Sequence, residues 1–270
     1  MLVHKNKIIY ENNKRMNIVY TNPFYEINDI SINENCEFKQ INYKVGLCFK
    51  IYVNERTKDV RYNIIKDFLK SLEKILDCDN LIVYGIIDCI PNDKLKNILK
   101  DIDQKINLYY LNGNYGISTA TNIGIEILLD KGCDYIFCSD DDVLFLDQNI
   151  FNHYIKNAIK YKFHHLSYYP IKFFNTIKET INKDIYYVYG YSGCFYLLTR
   201  YVILTQGYIP ILNSKYGYEH EIFTKNITNK QYDLNESHKY ITLNELSVDN
   251  CSGSKLDCLL VIFFVNISCS

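Results

Sequence analysis

Short apolar runs alternate with stretches of helical period from Val45 to about residue 160, and this alternation organises the chain. VGLCFKIYV (45–53) is almost unbroken apolar, as expected for a strand buried on both faces. Residues 58–76 follow with Val60, Ile64, Phe68, Leu72, Ile75 and Leu76 at helical spacing, which predicts one buried stripe. LIVYGII (81–87) is a second buried strand ending at Asp88. Residues 92–102 set Leu95, Ile98, Leu99 and Ile102 on one helical face, with Pro91 placed to open the helix. INLYYL (106–111) is a third strand, 116–129 a helix entered through a Gly/Asn loop, and DYIFC (134–138) a fourth strand running into three aspartates. A helix over 148–160 carries Ile150, Phe151, Tyr154, Ile155 and Ile159, and His164 and His165 then fall in a further strand pattern.

Strands alternating with helices of this length predict an α/β fold: a Rossmann-like, mostly parallel central sheet with helices on both faces. A chain of 270 residues suits one such domain. Residues 1–44 are polar and Asn-rich, an N-terminal extension with a short strand at 7–10. The domain covers 45–248, and 249–270 form a tail that includes the apolar run LLVIFFV. In parallel sheets of this kind, ligands bind beyond the C-terminal ends of the strands. YVNERT after the first strand, Asp88 after the second and the aspartates after the fourth all fall there.

Charge and cysteine usage narrow the classes. A net charge of −1, with arginines scattered at Arg15, Arg56, Arg61 and Arg200, gives no basic stripe and argues against a nucleic-acid partner. None of the ten cysteines forms a C-x-x-C pair, and Cys48, Cys89, Cys138 and Cys194 sit in apolar runs, which argues against zinc. The first twenty residues lack the apolar core of a signal peptide, and no stretch is long enough for a transmembrane segment. The expectation is a cytoplasmic protein with reduced thiols.

Candidate chemistry starts at Asp140-Asp141-Asp142. In extended chain Asp140 and Asp142 share one face while Asp141 turns to the other. Two crowded carboxylates call for positive charge between them, and a hard divalent cation completed by a diphosphate supplies it. The alternative is an acid-rich turn capping the next helix, but that helix resumes only at Gln148, beyond VLFL. Asn112 to Gly124 forms a loop and a helix start in which Gly116 permits close backbone approach, and Ala120 with Gly124 gives a small-residue packing face. On motif strength alone a plain turn before a close-packed helix is the better account of that stretch, and it is neither a phosphate loop nor a dinucleotide fingerprint. Further on, Glu219, His220 and Glu221 open a helical pattern and are candidate general bases, with an acid-rich first turn as the alternative. His238, in a polar loop beyond them, is a candidate metal ligand.

In order and spacing these features resemble the GT-A glycosyltransferases, closest to the large family-2-like group, over about residues 45–227. Val53-Asn54-Glu55-Arg56 is similar to the family's donor-base loop, with Val53 in place of the usual aromatic residue. Asp88 matches the acid that holds the uracil ring, and Asn112, Gly116 and Asn122 lie in the segment lining the donor site. Asp140, Asp141 and Asp142 match the D-x-D motif: Asp140 and Asp142 as metal ligands, Asp140 and Asp141 as donor contacts. Gly217-Tyr218-Glu219-His220 resembles the acceptor-side element, with His220 where an aspartate is usual.

The resemblance implies a donor half over 45–147 and an acceptor half over 148–248. It implies a nucleotide-sugar donor, expected as a UDP-sugar, Mn²⁺ or Mg²⁺, and inversion at the anomeric carbon. The acceptor is a hydroxyl on a glycan, glycoprotein or other molecule. Residues 173–184 are a candidate lid. Two rivals are weighed against it. A sugar nucleotidyltransferase needs a Gly-rich loop after the first strand, where VNERTKDV has no glycine. A degenerate fold that only binds carbohydrate or a partner would bind donor without turnover.

Overall fold

The computed structural model describes residues 43–76, 78, 80–161, 163–168, 177–180, 185–188, 193–212, 219–220, 222–224, 240–243 and 248–250. Its frame is a sheet in the order β3-β2-β1-β4-β9-β6-β10-β8-β7. Four strands form the parallel half: β1 (Val45–Ile51), β2 (Leu81–Ile87), β3 (Asn107–Tyr110) and β4 (Tyr135–Asp140). The helices α1 (Lys58–Glu73), α2 (Asp93–Lys100) and α3 (Ile117–Asp130) connect them.

After β4 come β5 (Val143–Phe145), α4 (Ile150–Tyr161), β6 (His165–Tyr168), β7 (Ile177–Thr180), β8 (Ile185–Val188), β9 (Phe195–Thr199) and α5 (Arg200–Gln206). β10 (Tyr240–Leu243) and β11 (Val248–Asn250) complete the described chain. β9 runs antiparallel to both β4 and β6, so the parallel half expected from the alternation continues into antiparallel pairing. β5 pairs with β11 in a separate two-stranded sheet.

The run VGLCFKI is buried at every position of β1 because both faces of the sheet are covered. Leu47, Phe49 and Ile51 join α1, α2 and α4 in one core, while Cys48 faces α3 and α5 in another. The buried stripe of α1 is Tyr62, Ile65, Phe68, Leu69 and Leu72. Val60, placed on the stripe by the sequence pattern, is 67% exposed, because the stripe is phased by Tyr62 and Ile65. Asn92, following Pro91, caps α2 by accepting from Leu95 N–H at 3.0 Å.

Gly124 sets the depth of α3. A Cβ there would lie 2.6 Å from Cys48 Cβ, so glycine alone lets the helix lie this close to β1. Arg200 secures the other end of α3 by donating to the carbonyls of Leu129 (2.9 Å) and Cys133 (3.4 Å). The described cysteines Cys48, Cys78, Cys89, Cys133, Cys138 and Cys194 carry thiols and form no disulfide among the described residues. The proposed lid at 173–184 contains β7, which pairs with β8, so at least residues 177–180 are part of the sheet. The rest of that loop, the strand expected at 7–10 and the apolar run at 259–265 lie outside the described residues. No described helix is long and apolar enough to cross a membrane.

Candidate active site

The C-terminal ends of β1 and β4 lie side by side, with Lys50 and Asp140 as direct partners in the parallel register. From that point a cleft of about 370 Å³ opens, lined by Lys50, Tyr52, Asn54, Thr57, Arg61, Ile117 and all three aspartates. β4 ends at Asp140 and the chain turns through Asp141 and Asp142. The alternation expected of an extended chain therefore stops there: Asp141 does not face away but joins Asp140 and Asp142 at the cleft. Ser71 of α1 pins the exit from this turn. Its hydroxyl accepts from Phe145 N–H at 3.0 Å and donates to the Phe68 carbonyl at 2.7 Å.

Two cations answer the three carboxylates. Lys50 pairs with Asp140, and Arg61 pairs with Asp141 and approaches Asp142 at 3.8 Å. Burial alone would lower the Lys50 pKa, but the Asp140 carboxylate more than offsets this and raises it. Arg61 follows the same pattern: burial opposes its charge, and Asp141 then Asp142 restore it. Burial raises the Asp141 carboxyl above its ordinary range. Asp142 is pushed up to about 7, first by burial and then by the charges of Asp140 and Asp141. Two cations are too few for three ionised acids in this setting.

The donor set fits a hard divalent cation. It offers carboxylate oxygens, and two of them, Asp141 Oδ2 and Asp142 Oδ1, are buried without a hydrogen-bond partner among the described residues. Among the described residues no three His, Cys, Asp or Glu side chains gather into a metal cage. A cation here would draw the rest of its shell from ligand oxygens.

The other expected donor contacts fall into two groups. Asn54 lines the cleft, but its Oδ1 accepts from Arg56 N–H (2.9 Å), Thr57 N–H (3.1 Å) and the Thr57 hydroxyl (3.1 Å), which builds the turn into α1. Val53 is half-buried against the core, and Arg56 is exposed. Asp88 is buried, and its two oxygens accept from Tyr115 N–H at 2.7 Å and Gly116 N–H at 3.0 Å. That bond pair holds the entry to α3, where Gly116 has a φ of +90° that favours glycine. Asn112 is exposed in the left-handed region, at φ +56°. Asn122 is buried, and its amide exchanges both hydrogen bonds with the backbone of Ile209, at 2.8 and 3.0 Å.

The late cluster is only partly described. Glu219 is buried, and His220 lies against β9, its ring centroid 4.5 Å from that of Tyr196. A Cβ on Gly193 would sit 3.2 Å from His220 Cβ, so the glycine makes room for the ring. His220 Nε2 contacts Thr224 Oγ1 at 3.2 Å, while its Nδ1 is buried without a hydrogen-bond partner among the described residues. Burial, then His165, then Lys50 hold its pKa well below the usual value, so the ring is neutral. Glu221 and His238 lie outside the described residues.

Lys50 and Arg61 are the site residues that the motif reading missed. Both left a signal. A lysine inside a run buried on both faces needs a buried anion. Arg61 stands at i, with Ile65, Phe68 and Leu72 at i+4, i+7 and i+11, so it continues the buried stripe towards the sheet end.

No family model matches the chain. An uncharacterized glycosyltransferase of Acanthamoeba polyphaga mimivirus is 31% identical over 219 residues, covering 77% of this chain and 84% of the relative. Among solved structures, the mannosyltransferase PcManGT of Pyrobaculum calidifontis, in complex with GDP-Man and Mn²⁺, superposes with a TM-score of 0.54 at 14% identity. That match covers 80% of this chain and 59% of the other. TarS of S. aureus gives a TM-score of 0.50 at 16% identity, covering 74% of this chain and 57% of its own. The chain thus spans less than two thirds of either solved structure, and at these identities the likeness is one of fold.

Proposed function

The chain belongs to the glycosyltransferases and has the GT-A fold, and from that premise we propose that it moves a sugar from a nucleotide-diphosphate donor to an acceptor hydroxyl, with a divalent cation in the aspartate cleft. The observation that carries this reading is the pair of buried, unpartnered carboxylate oxygens on Asp141 and Asp142, in a cleft with two cations for three acids. A metal-loaded mannosyltransferase of the same fold supports it.

Asp142 would hold the cation, with Asp140 as the resemblance implies and the buried Asp141 Oδ2 beside it, and the bound cation would neutralise the diphosphate leaving group. Lys50 and Arg61 keep the carboxylates together at the ends of β4 and α1. Arg61, at the mouth of the same cleft as Asn54 and Thr57, also offers a guanidinium to donor phosphate oxygens. Asp88 and Gly116 fix the loop that closes the donor side.

The general base comes from the cluster of Glu219, His220 and Glu221, in which His220 lies beside β9 and is neutral. The base takes the proton of the acceptor hydroxyl as its oxygen bonds to the anomeric carbon. The bond from that carbon to the diphosphate breaks, and its electron pair leaves on the phosphate oxygen. A single displacement inverts the anomeric centre.

The test is Mn²⁺ binding followed by electron paramagnetic resonance, with and without GDP or UDP. The cation should bind weakly alone and more tightly with a nucleoside diphosphate, and Asp142→Asn should abolish the enhancement. Equal binding by wild type and variant contradicts the assignment. The anomeric configuration of the product, read by NMR, tests inversion.

A further inference from the structure

Lys50 is a charged residue near the end of a strand that is buried at every position, and it is 9% exposed. Its ammonium pairs with Asp140, its register partner on β4. Arg61 reaches the same cleft from α1 and meets Asp141 Oδ1 and, at 3.8 Å, Asp142 Oδ2. Arg61 thus faces one oxygen of each of these two carboxylates. The other oxygens, Asp141 Oδ2 and Asp142 Oδ1, are the buried ones without a hydrogen-bond partner among the described residues. These five are the charged side chains that line the cleft among the described residues.

Charge in a partly buried cleft is poorly screened and has to be balanced close by. Three carboxylates against two cations leave one net negative charge at rest. A divalent cation arriving alone would turn that into one net positive charge. The diphosphate of a sugar donor carries two negative charges, and arriving alone it would join a cleft that is already negative. Cation and diphosphate together are neutral and leave the cleft at its resting charge. Without Lys50 the resting charge has one more negative unit, and a divalent cation alone cancels it.

We propose that Lys50 sets the metal affinity of the cleft: its ammonium on Asp140 keeps the aspartates from holding a divalent cation on their own, so that the cation is retained only together with the donor's diphosphate. This rests on the reading of the cleft as the cation and donor site. Arg61 contributes to the same balance, but it can also touch the donor, so Lys50 is the residue that isolates the effect. Coupling of this kind is reciprocal: the factor by which diphosphate strengthens cation binding is the factor by which cation strengthens diphosphate binding.

The experiment titrates the full chain with Mn²⁺ at about pH 8, where free carboxylates are ionised, and reads unbound Mn²⁺ by electron paramagnetic resonance. Each titration is run without nucleotide, with UDP and with GDP. Wild type should bind Mn²⁺ weakly alone and more tightly with one diphosphate. Lys50→Met should bind Mn²⁺ alone about 10- to 100-fold more tightly than wild type, and the gain from diphosphate should shrink by the same factor. Lys50→Gln, which keeps an N–H for Asp140, should shift in the same direction and carries the test if Lys50→Met does not fold. Mn²⁺ alone should raise the melting temperature of either variant more than that of wild type.

A folded variant whose Mn²⁺ affinity without nucleotide equals wild type or falls below it overturns the proposal. So does a wild type that binds Mn²⁺ equally well with and without diphosphate, which leaves the cleft as a metal site and removes the role of Lys50. No Mn²⁺ binding by wild type under any of the three conditions sinks the reading of the cleft itself, and the proposal with it.

Discussion

Asn122 offers a sharp separation between a donor contact and a structural clasp. Its amide fills both polar groups of the Ile209 backbone, accepting from the N–H at 3.0 Å and donating to the carbonyl at 2.8 Å, and the side chain is 1% exposed. Asn122→Leu keeps the volume, removes both partners and leaves no room for water to replace them. Each buried backbone group stranded in this way costs about 1–3 kcal/mol, so the pair should cost roughly 2–6 kcal/mol. That is a large share of the roughly 5–15 kcal/mol that holds a domain folded.

The assay is urea unfolding at equilibrium, where the midpoint should fall with little change in slope. Asn122→Ala should cost less, because the vacated space admits a water that bonds to Ile209. Donor KM, measured well below the transition, should match wild type for both variants. A stability loss below about 0.5 kcal/mol for Asn122→Leu, the range of an ordinary surface change, refutes the reasoning. A large rise in donor KM at unchanged stability would place Asn122 in the donor site instead.

Gly124→Ala should destabilise by about 1–3 kcal/mol through overpacking against Cys48, outweighing the helical gain of alanine, as denaturant curves can check. Lys50→Met leaves the Asp140 carboxylate without its buried cation and should cost on the order of 3 kcal/mol; Lys50→Met with Asp140→Asn should recover part of that loss. His165 is held neutral, with its pKa at about 4 against an ordinary 6.5, so the unfolded chain binds more protons between those values. Its contribution is complete above about pH 6.5 and is lost as pH falls towards 4, roughly 3 kcal/mol in all. His165→Gln should therefore lose less stability than wild type between pH 7 and pH 4.5.

Much of the parallel half was legible because period carries it. VGLCFKI and LIVYGII are strands at those positions, and the helix over Ile117–Asp130 begins one residue after the glycine that was expected to open it. Apolar residues alone give α1 the wrong phase, because a tyrosine helps to set its buried stripe. Tyr62 is fully buried and Val60 is not. The antiparallel half was less legible, since β9 pairs with strands distant in sequence and no local pattern records the partner.

At the site, the aspartates were visible as a cluster, but their common orientation was not, because the strand ends one residue before its period would matter. Lys50 and Arg61 were masked by the elements that carry them. Asp88 and Asn122 show the converse: a motif identifies the residue type, while only the fold reveals that backbone N–H and C=O groups occupy these side chains.

The central claim is that the aspartate cleft supports metal-dependent release of a nucleoside diphosphate from a sugar donor. The direct measurement is nucleoside diphosphate released from a panel of UDP-, GDP- and TDP-sugars with Mn²⁺, by wild type, by wild type with a chelator and by Asp142→Ala. The account predicts turnover of one donor by the wild type with metal, and background release in the other two. Turnover that survives both the chelator and Asp142→Ala, or release of pyrophosphate in place of nucleoside diphosphate, would contradict it.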